Sequence, residues 1–406
     1  MATRSHNKPE DIAHIALCFG PDFSQTQDLC QVGLLAREFL GTPTRRFLMP
    51  TSMWMLSIFI VILFTTSALA QSSPYSVLEM SGLRGGNSFA TDVNMTGEVV
   101  GRSGRLHGTE THAFIWTSAR NTEALQLGAV SKNTRATAIS NQGLVVGFGE
   151  TSDSMHAFLW SQKDGYEDLG TLPGDSSSKA QAINDVGQVV GSSSGPRGQH
   201  AVLWKKGLGF LDLGTLPGGQ ISEARGINNL GEVVGNSDSS GGSHAFLWTP
   251  DLGLEDLGTL PNDRTSVAYA INDAGQVVGS SFGASGVRAF LWTRSAGMRD
   301  IGGLAGASYT EAYSINTVGQ VVGISGTSQS GTRAFIWTPK TGTRDLNDLV
   351  PKDFELRLSG ALHINDRSWI VVFGNTRREL ISDRSLEHGQ HTSPNRIFLL
   401  TPNSTP

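Results

Sequence analysis

The stretch Ala180-Gln181-Ala182-Ile183-Asn184-Asp185-Val186-Gly187-Gln188-Val189-Val190-Gly191 recurs, with small changes, along most of the chain. Each copy is followed by two further signatures, here His200-Ala201-Val202-Leu203-Trp204 and Leu211-Asp212-Leu213-Gly214-Thr215-Leu216. Repetition at a fixed period marks stacked units, none of which buries its apolar face alone. The glycine that closes Gly-x-Val-Val-Gly falls at 101, 147, 191, 235, 279 and 323, and a degenerate copy ends at Gly374. The steps are 46, 44, 44, 44, 44 and 51 residues, which makes seven copies.

Each copy contains four short apolar runs. They are Ala-x-x-Ile-Asn (Ala268 to Asn272), Gly-x-Val-Val-Gly (Gly275 to Gly279), His-Ala-Phe-Leu-Trp (His244 to Trp248) and x-Asp-Leu-Gly-Thr-Leu (Glu255 to Leu260). Runs of five or six residues rich in Val, Ile, Phe and Trp, separated by Asn, Asp, Gly, Ser and Pro, read as strands joined by tight turns. No 3.6-residue period competes within the repeats. In His156-Ala157-Phe158-Leu159-Trp160 alternation sends Phe and Trp to one face and Ala and Leu to the other. Both faces are apolar, as for a sheet packed between two neighbours. Large side chains of this kind each contribute about 1.5–3 kcal/mol when buried, and backbone ordering offsets most of that, so a lone copy should not fold.

Four antiparallel strands in about 44 residues match one propeller blade, and seven blades lie within the usual range. The expected fold is therefore all-β, a seven-bladed β-propeller of four-stranded antiparallel blades; an open β-solenoid of the same units is the alternative. Strand counting predicts how the ring closes. Tyr75 to Leu83 resembles a fourth strand lacking the first three, and Arg396 to Leu400 a third strand lacking a fourth. Val77 to Met80 is thus expected to pair with Ile397 to Leu400, which removes two exposed edges.

Upstream of the repeats, residues 1–48 match no repeat and read as a wrongly assigned start, with Met49 or a nearby non-Met start as the real beginning; a small or disordered N-terminal extension is the alternative. Residues 49–70 read as a signal peptide: Arg45-Arg46 precede the apolar run Trp54 to Phe64, and Ser67-Ala68-Leu69-Ala70 offers a cleavage site before Gln71. Eleven apolar residues are short for a membrane span, which takes roughly 17 to 25. Residues 71–406 would then be a secreted or periplasmic domain; an uncleaved membrane anchor is the alternative. Both cysteines, Cys18 and Cys30, precede the repeats, so that domain has no thiol for a disulfide, a metal site or a nucleophile.

The formal net charge of -5, without any Lys/Arg-rich run, argues against nucleic-acid binding. The recurring His suggests a metal site, but Arg288, Arg333 and Arg396 replace it in three copies and cannot ligate a metal. His and Arg can share a donor role toward an acceptor in the adjoining strand, such as Asp168, Asp212 or Asp256. The Asn-Asp-x-Gly turns at Asp185, Asp273 and Asp366 faintly resemble calcium loops but lack the fixed bidentate Glu, so they read as satisfied turns. No metal and no cofactor is expected.

A functional site on a repeat protein should break the repeat. The loop face predicted to join consecutive units holds Arg84, Asp175, Glu223, Asn262, Asp263, Arg264 and Glu311, and Arg225, Tyr269 and Tyr313 vary inside the first strand. Arg225, Tyr269, Tyr313 and Arg264 are the candidate ligand-binding residues, a set suited to a sugar. No catalytic set stands out.

Together, Ile-Asn-Asp-x-Gly-Gln-Val-Val-Gly, His-Ala-Phe-Leu-Trp and Asp-Leu-Gly-Thr-Leu-Pro-Gly resemble the HAF repeat of bacterial extracellular proteins, with His-Ala-Phe at His112, His156 and His244. The resemblance runs from about Tyr75 to Pro406 and implies export and a repeat domain of unassigned activity. Three functions fit: a monomeric, non-catalytic binding or scaffold module for extracellular glycan or protein, a secreted polysaccharide-degrading enzyme with its site at the channel mouth, or a purely structural surface protein.

Overall fold

The computed structural model describes residues 73–80, 88–104, 110–119, 121–124, 132–152, 154–327, 331–375 and 396–403. The chain divides into two compact units, Met1–Gln71 and Ser72–Pro406, and all described residues belong to the second. The expected extension, the signal peptide and Arg84 lie outside the described residues, as does the long polar segment expected over 375–395 apart from Asn375, which ends a strand. Among the described residues no helix is long and apolar enough to cross a membrane.

The fold is all-β, built from four-stranded antiparallel units in chain order, except that the last takes its fourth strand from the N-terminal Tyr75–Met80. One copy consists of strands Ser177–Ile183, Val189–Gly195, Gly198–Lys205 and Gly209–Gly214, each paired with the next. The two copies at 263–300 and 309–345 join into one eight-stranded sheet through a single parallel bridge, Val287 to Tyr309.

Strand limits differ from the expected ones in three ways. The first strand begins earlier, and its Asn lies in the following turn. The second strand starts two residues later and runs past its glycine. The fourth strand stops at Gly214 or Gly258, where φ is +79° and +69°, so Thr-Leu-Pro forms a connection. Glycine accepts this left-handed backbone without a Cβ penalty.

The glycine inside the second strand has another cause. A Cβ on Gly235 would stand 1.9 Å from the Glu223 carbonyl oxygen. The neighbouring strand bulges there, between Ala224 and Gly226, and the backbone leaves no room for a side chain.

Alternation within His-Ala-Phe-Leu-Trp does what its pattern implies. Ala201 and Leu203 of one copy pack with Phe246 and Trp248 of the next. Ala245 and Leu247 pack with Phe290 and Trp292 in the same way. Equivalent packing joins Val371, Ile397 and Leu399 of the last copy to Val99, Phe114 and Trp116 of the first.

The N-terminal strand, Tyr75–Met80, pairs with Arg396–Pro402 in the expected register: Val77 opposes Leu400 and Met80 opposes Ile397. The ladder extends to Tyr75 opposite Pro402, and Ser76 Oγ lies 2.7 Å from Thr401 Oγ1. Arg396 Nε donates to Glu79 at 2.6 Å. The arrangement is that of a β-propeller.

Side chains at the turn after the first strand link successive copies. Asn184 accepts from the backbone N–H of Gln188, while its Nδ2 donates to Gln188 Oε1 and to the Asn228 carbonyl of the next copy. Asn228 donates to Asn272 O, Asn272 to Asn316 O, Asn316 to Asn365 O, Asn365 to Asn94 O and Asn94 to Ser140 O, at 2.9–3.3 Å. The Asp that follows acts in the opposite sense: Asp185 accepts from the N–H of Asn141, and Asp273 from that of Asn229. These turns are satisfied by the protein itself, as expected.

Candidate functional site

In every copy the first strand carries a bulge near its C-terminal end, so one residue has no opposite number. That extra residue is Thr91, Thr137, Gln181, Arg225, Tyr269, Tyr313 or Leu362 in turn. A bulge re-aims a side chain and frees it from the ladder, so this position tolerates variation that the rest of the strand does not. The first two serve the fold: Thr91 donates to Ala136 O and Thr137 to Ala180 O.

From Gln181 onward the bulge residues form a polar and aromatic chain. Gln181 Nε2 donates to Glu223 Oε1 at 2.9 Å. Arg225 donates to Glu223 Oε2 at 2.7 Å and to Asn236 Oδ1 at 3.0 Å. Its guanidinium lies 5.7 Å from the centre of the Tyr269 ring. Tyr269 meets Tyr313 edge-on at 5.4 Å between centroids, and the Tyr313 hydroxyl donates to Glu311. Burial first, and the Glu311 carboxylate second, hold the phenols of Tyr269, Tyr309 and Tyr313 well above their ordinary pKa. All three are thus neutral hydroxyl donors at neutral pH. Cation, carboxylates, phenols and ring edges in one run can grip a hydroxylated or peptide-like ligand at several points.

Of the residues expected to bind ligand, Arg225, Tyr269 and Tyr313 come together. Arg264 does not join them; it is exposed near the start of strand Asp263–Ile271. Glu223 and Glu311 from the loop-face set belong to the chain. Two others serve the fold instead. The Asp263 side chain is 1% exposed and pairs with Arg288 at 2.9 Å, and Asp175 accepts from Ser193 Oγ and faces Arg197. Asn262 occupies a turn with φ of +70°.

The His and Arg that alternate at the head of the third strand share the donor role read from the sequence. His156, His200 and His244 pair with Asp168, Asp212 and Asp256 at 2.8–2.9 Å, and Arg333 pairs with Asp345 at 2.9 Å. Among the described residues no group of three or more His, Cys, Asp or Glu could hold a metal ion.

A second feature escaped the sequence reading. Residues 92–95, 139–141, 183–185, 227–229, 271–273, 315, 317 and 363–366 line one pocket. The position before Ile-Asn (Ile-Ser in the second copy, Val-Asn in the first) is Ala138, Ala182, Gly226, Ala270 or Ser314 in five copies, but Asp92 in the first and His363 in the last, and these two line the pocket. His363 Nδ1 and Asp92 Oδ1 lie 3.0 Å apart. Asp92 is 7% exposed and also accepts from the N–H groups of Val93 and Ile139, so its carboxylate is fully engaged. Aligning the copies column by column would have exposed the pair.

The fold is similar to that of solved structures of low sequence identity. The chain is similar to virginiamycin B lyase from Staphylococcus aureus at 9% identity, with a TM-score of 0.51 over 80% of this chain and 98% of that one. It is similar to a puromycin hydrolase S511A mutant at 11% identity and TM-score 0.51, covering 75% of this chain and 53% of that one. The β-propeller domain of the Trilobed protease from Pyrococcus furiosus matches at 9% identity and TM-score 0.48, covering 77% and 93%. No known family model and no curated protein matches the chain.

Proposed function

We propose that seven four-stranded blades close into one ring, latched by the strand Tyr75–Met80, and that the ring is a secreted, non-catalytic binding or scaffold module of the HAF-repeat kind. The observation that carries the binding reading is the run Gln181–Glu223–Arg225–Tyr269–Tyr313–Glu311, where the repeat abandons small side chains for groups that recognise ligands. The ligand class is an extracellular glycan or a protein segment, held by the phenols and the Arg225–Glu223 pair.

A panel of immobilised glycans and peptides, probed with the full chain, tests this. Binding that falls at least about tenfold in Arg225→Ala and in Tyr269→Leu supports the reading, a loss of about 1.4 kcal/mol. Binding indifferent to both, or no binding at all, removes it. The second reading, a secreted polysaccharide-degrading enzyme, draws on His363 and Asp92, because a His oriented by a buried carboxylate is a general-base arrangement. Turnover of any polysaccharide that His363→Gln abolishes would favour it.

A further inference from the structure

We infer that Arg102, Arg135 and Lys179 form a binding site for an oxyanion, the carboxylate or phosphate group of a ligand. They come from three consecutive copies that precede the Arg225–Tyr313 run, and the inference stands apart from the function proposed above. Arg102 lies over the ring of Phe89, its partner across the ladder, at 4.7 Å. Arg135 repeats the arrangement one copy later, 5.8 Å from the ring centre of its own partner Phe148. Lys179 reaches the same Phe148 ring from the next copy at 5.6 Å. Two cationic heads therefore share one aromatic ring, with a third beside them.

None of the three forms an ion pair among the described residues, although Arg225, Arg288, Arg294, Arg333 and Arg396 all do. The carboxylates at this level of the first strand stand in other copies, at Glu223 and Glu311. Arg102 is half-buried, and burial, then the charge of Arg135, pulls its guanidinium down to about 10, so it remains a cation at neutral pH. Burial lowers Arg135 in the same direction.

Arg102 is the half-buried member, and keeping its charge partly out of water beside that of Arg135 is unfavourable unless a counter-charge arrives; Arg135 and Lys179 are exposed and open to an incoming anion. The aromatic faces offset only part of that, because a ring quadrupole is weaker than a carboxylate. In a chain with net charge -5, three unpaired cations concentrated in neighbouring copies are poised for an external anion. Guanidinium forks donate to carboxylate or phosphate oxygens in pairs, and the ammonium of Lys179 adds a mobile third donor.

The test is calorimetric titration of the full chain with trigalacturonate, with inorganic phosphate, and with maltotriose as a neutral control. Arg135→Gln and Lys179→Gln serve as variants, since both residues are exposed and their loss should not compromise folding. At least one anion should bind, more weakly as salt rises, and either substitution should weaken it about tenfold or more. Binding of trigalacturonate alone identifies a saccharide carboxylate as the source; binding of phosphate alone identifies a phosphate. Without ligand, Arg135→Gln should melt slightly higher than the parent, because a repulsion has gone. The inference is overturned if neither anion binds, if maltotriose binds as well as they do, or if both variants bind like the parent. Arg225→Ala should retain anion binding, which separates this outcome from that of the proposed function.

Discussion

Ser140 occupies the position that Asn fills in the other six copies, and it opens the one gap in the belt of Asn-to-carbonyl bonds among the described residues. Its hydroxyl keeps the local duty, accepting from the N–H groups of Gln142 and Leu144 at 3.3 and 3.2 Å. It does not supply the donor that would reach the Asn184 carbonyl. Ser140→Asn should restore that bond. Asn365 is the precedent: it is followed by the apolar Trp369, as Ser140 is by Leu144, where the other five copies have Glu or Gln, yet it still donates to Asn94 O at 2.9 Å. Ser140 is 2% exposed, so the new bond forms away from competing water. A net gain of about 0.5–1.5 kcal/mol is expected, which in a domain of this size raises the melting temperature by roughly 1–4 °C. The converse change, Asn228→Ser, removes the bonds from Nδ2 to Asn272 O and Glu232 Oε2 while keeping an acceptor for the turn. It should cost about 1–3 kcal/mol, and Asn228→Ala about 3–5 kcal/mol, because the N–H groups of Leu230 and Glu232 then lose their acceptor too. Urea and thermal unfolding of the four proteins would measure this. If Ser140→Asn gains nothing and Asn228→Ser loses nothing, the belt is a geometric by-product and does not hold the copies together.

Three further outcomes follow from the same geometry. Ser76→Cys with Thr401→Cys, with Cys18 and Cys30 replaced by Ser, should oxidise spontaneously and stabilise the fold by up to about 5 kcal/mol, since the bridge closes a loop of more than 300 residues; a pair that stays reduced under mild oxidant would refute the latch. All five tyrosines have raised pKa values, Tyr75 and Tyr166 to about 12 and the other three higher still, with burial the main cause. Unfolded tyrosines ionise near 10, so the stability due to the folded phenols is complete below pH 10 and is lost as pH rises toward 12; phenolate absorbance that emerges near pH 10 with the fold intact would contradict this. His244→Arg should change stability by less than about 1 kcal/mol, because Arg makes the equivalent pair with Asp345 elsewhere and these pairs are partly exposed; a large loss on calorimetric melting would mean that the imidazole has a separate duty.

What was legible in the sequence is what repeats locally. Val, Phe and Trp at alternate positions declared both faces of each sheet, and the stray strands at 75–80 and 396–402 declared the latch, because an unpaired edge demands a partner. The His and Arg substitutions at one column pointed to a donor before its Asp acceptor was seen. What stayed hidden depends on contacts about 44 residues apart. Asn184 read as the end of a strand, whereas its side chain spans to Asn228 of the next copy. Arg264 read as a ligand residue because it sat in a polar connection, yet the early start of its strand sets it apart from the Tyr269 ring. Asp92 and His363 went unnoticed, because each departs from its column in one copy only and the two meet across copies distant in sequence.

The bulge in the first strand ties these observations together. A residue that opposes nothing across the ladder has no pairing geometry to keep, so its side chain can be given to the space between copies. Thr91 and Thr137 spend that freedom on carbonyls of the following copy, which locks neighbours together. Gln181, Arg225, Tyr269 and Tyr313 use the same position to build a continuous surface of hydroxyl, guanidinium and ring. One backbone device thus serves cohesion in some copies and, in the function proposed above, recognition in others. The two duties compete: a Thr placed at 269 or 313 should tighten the seam between copies as it erases part of the proposed ligand-binding run. That exchange gives a physical reason for these polar and aromatic residues to occupy consecutive copies, since scattering them would weaken every seam they touched.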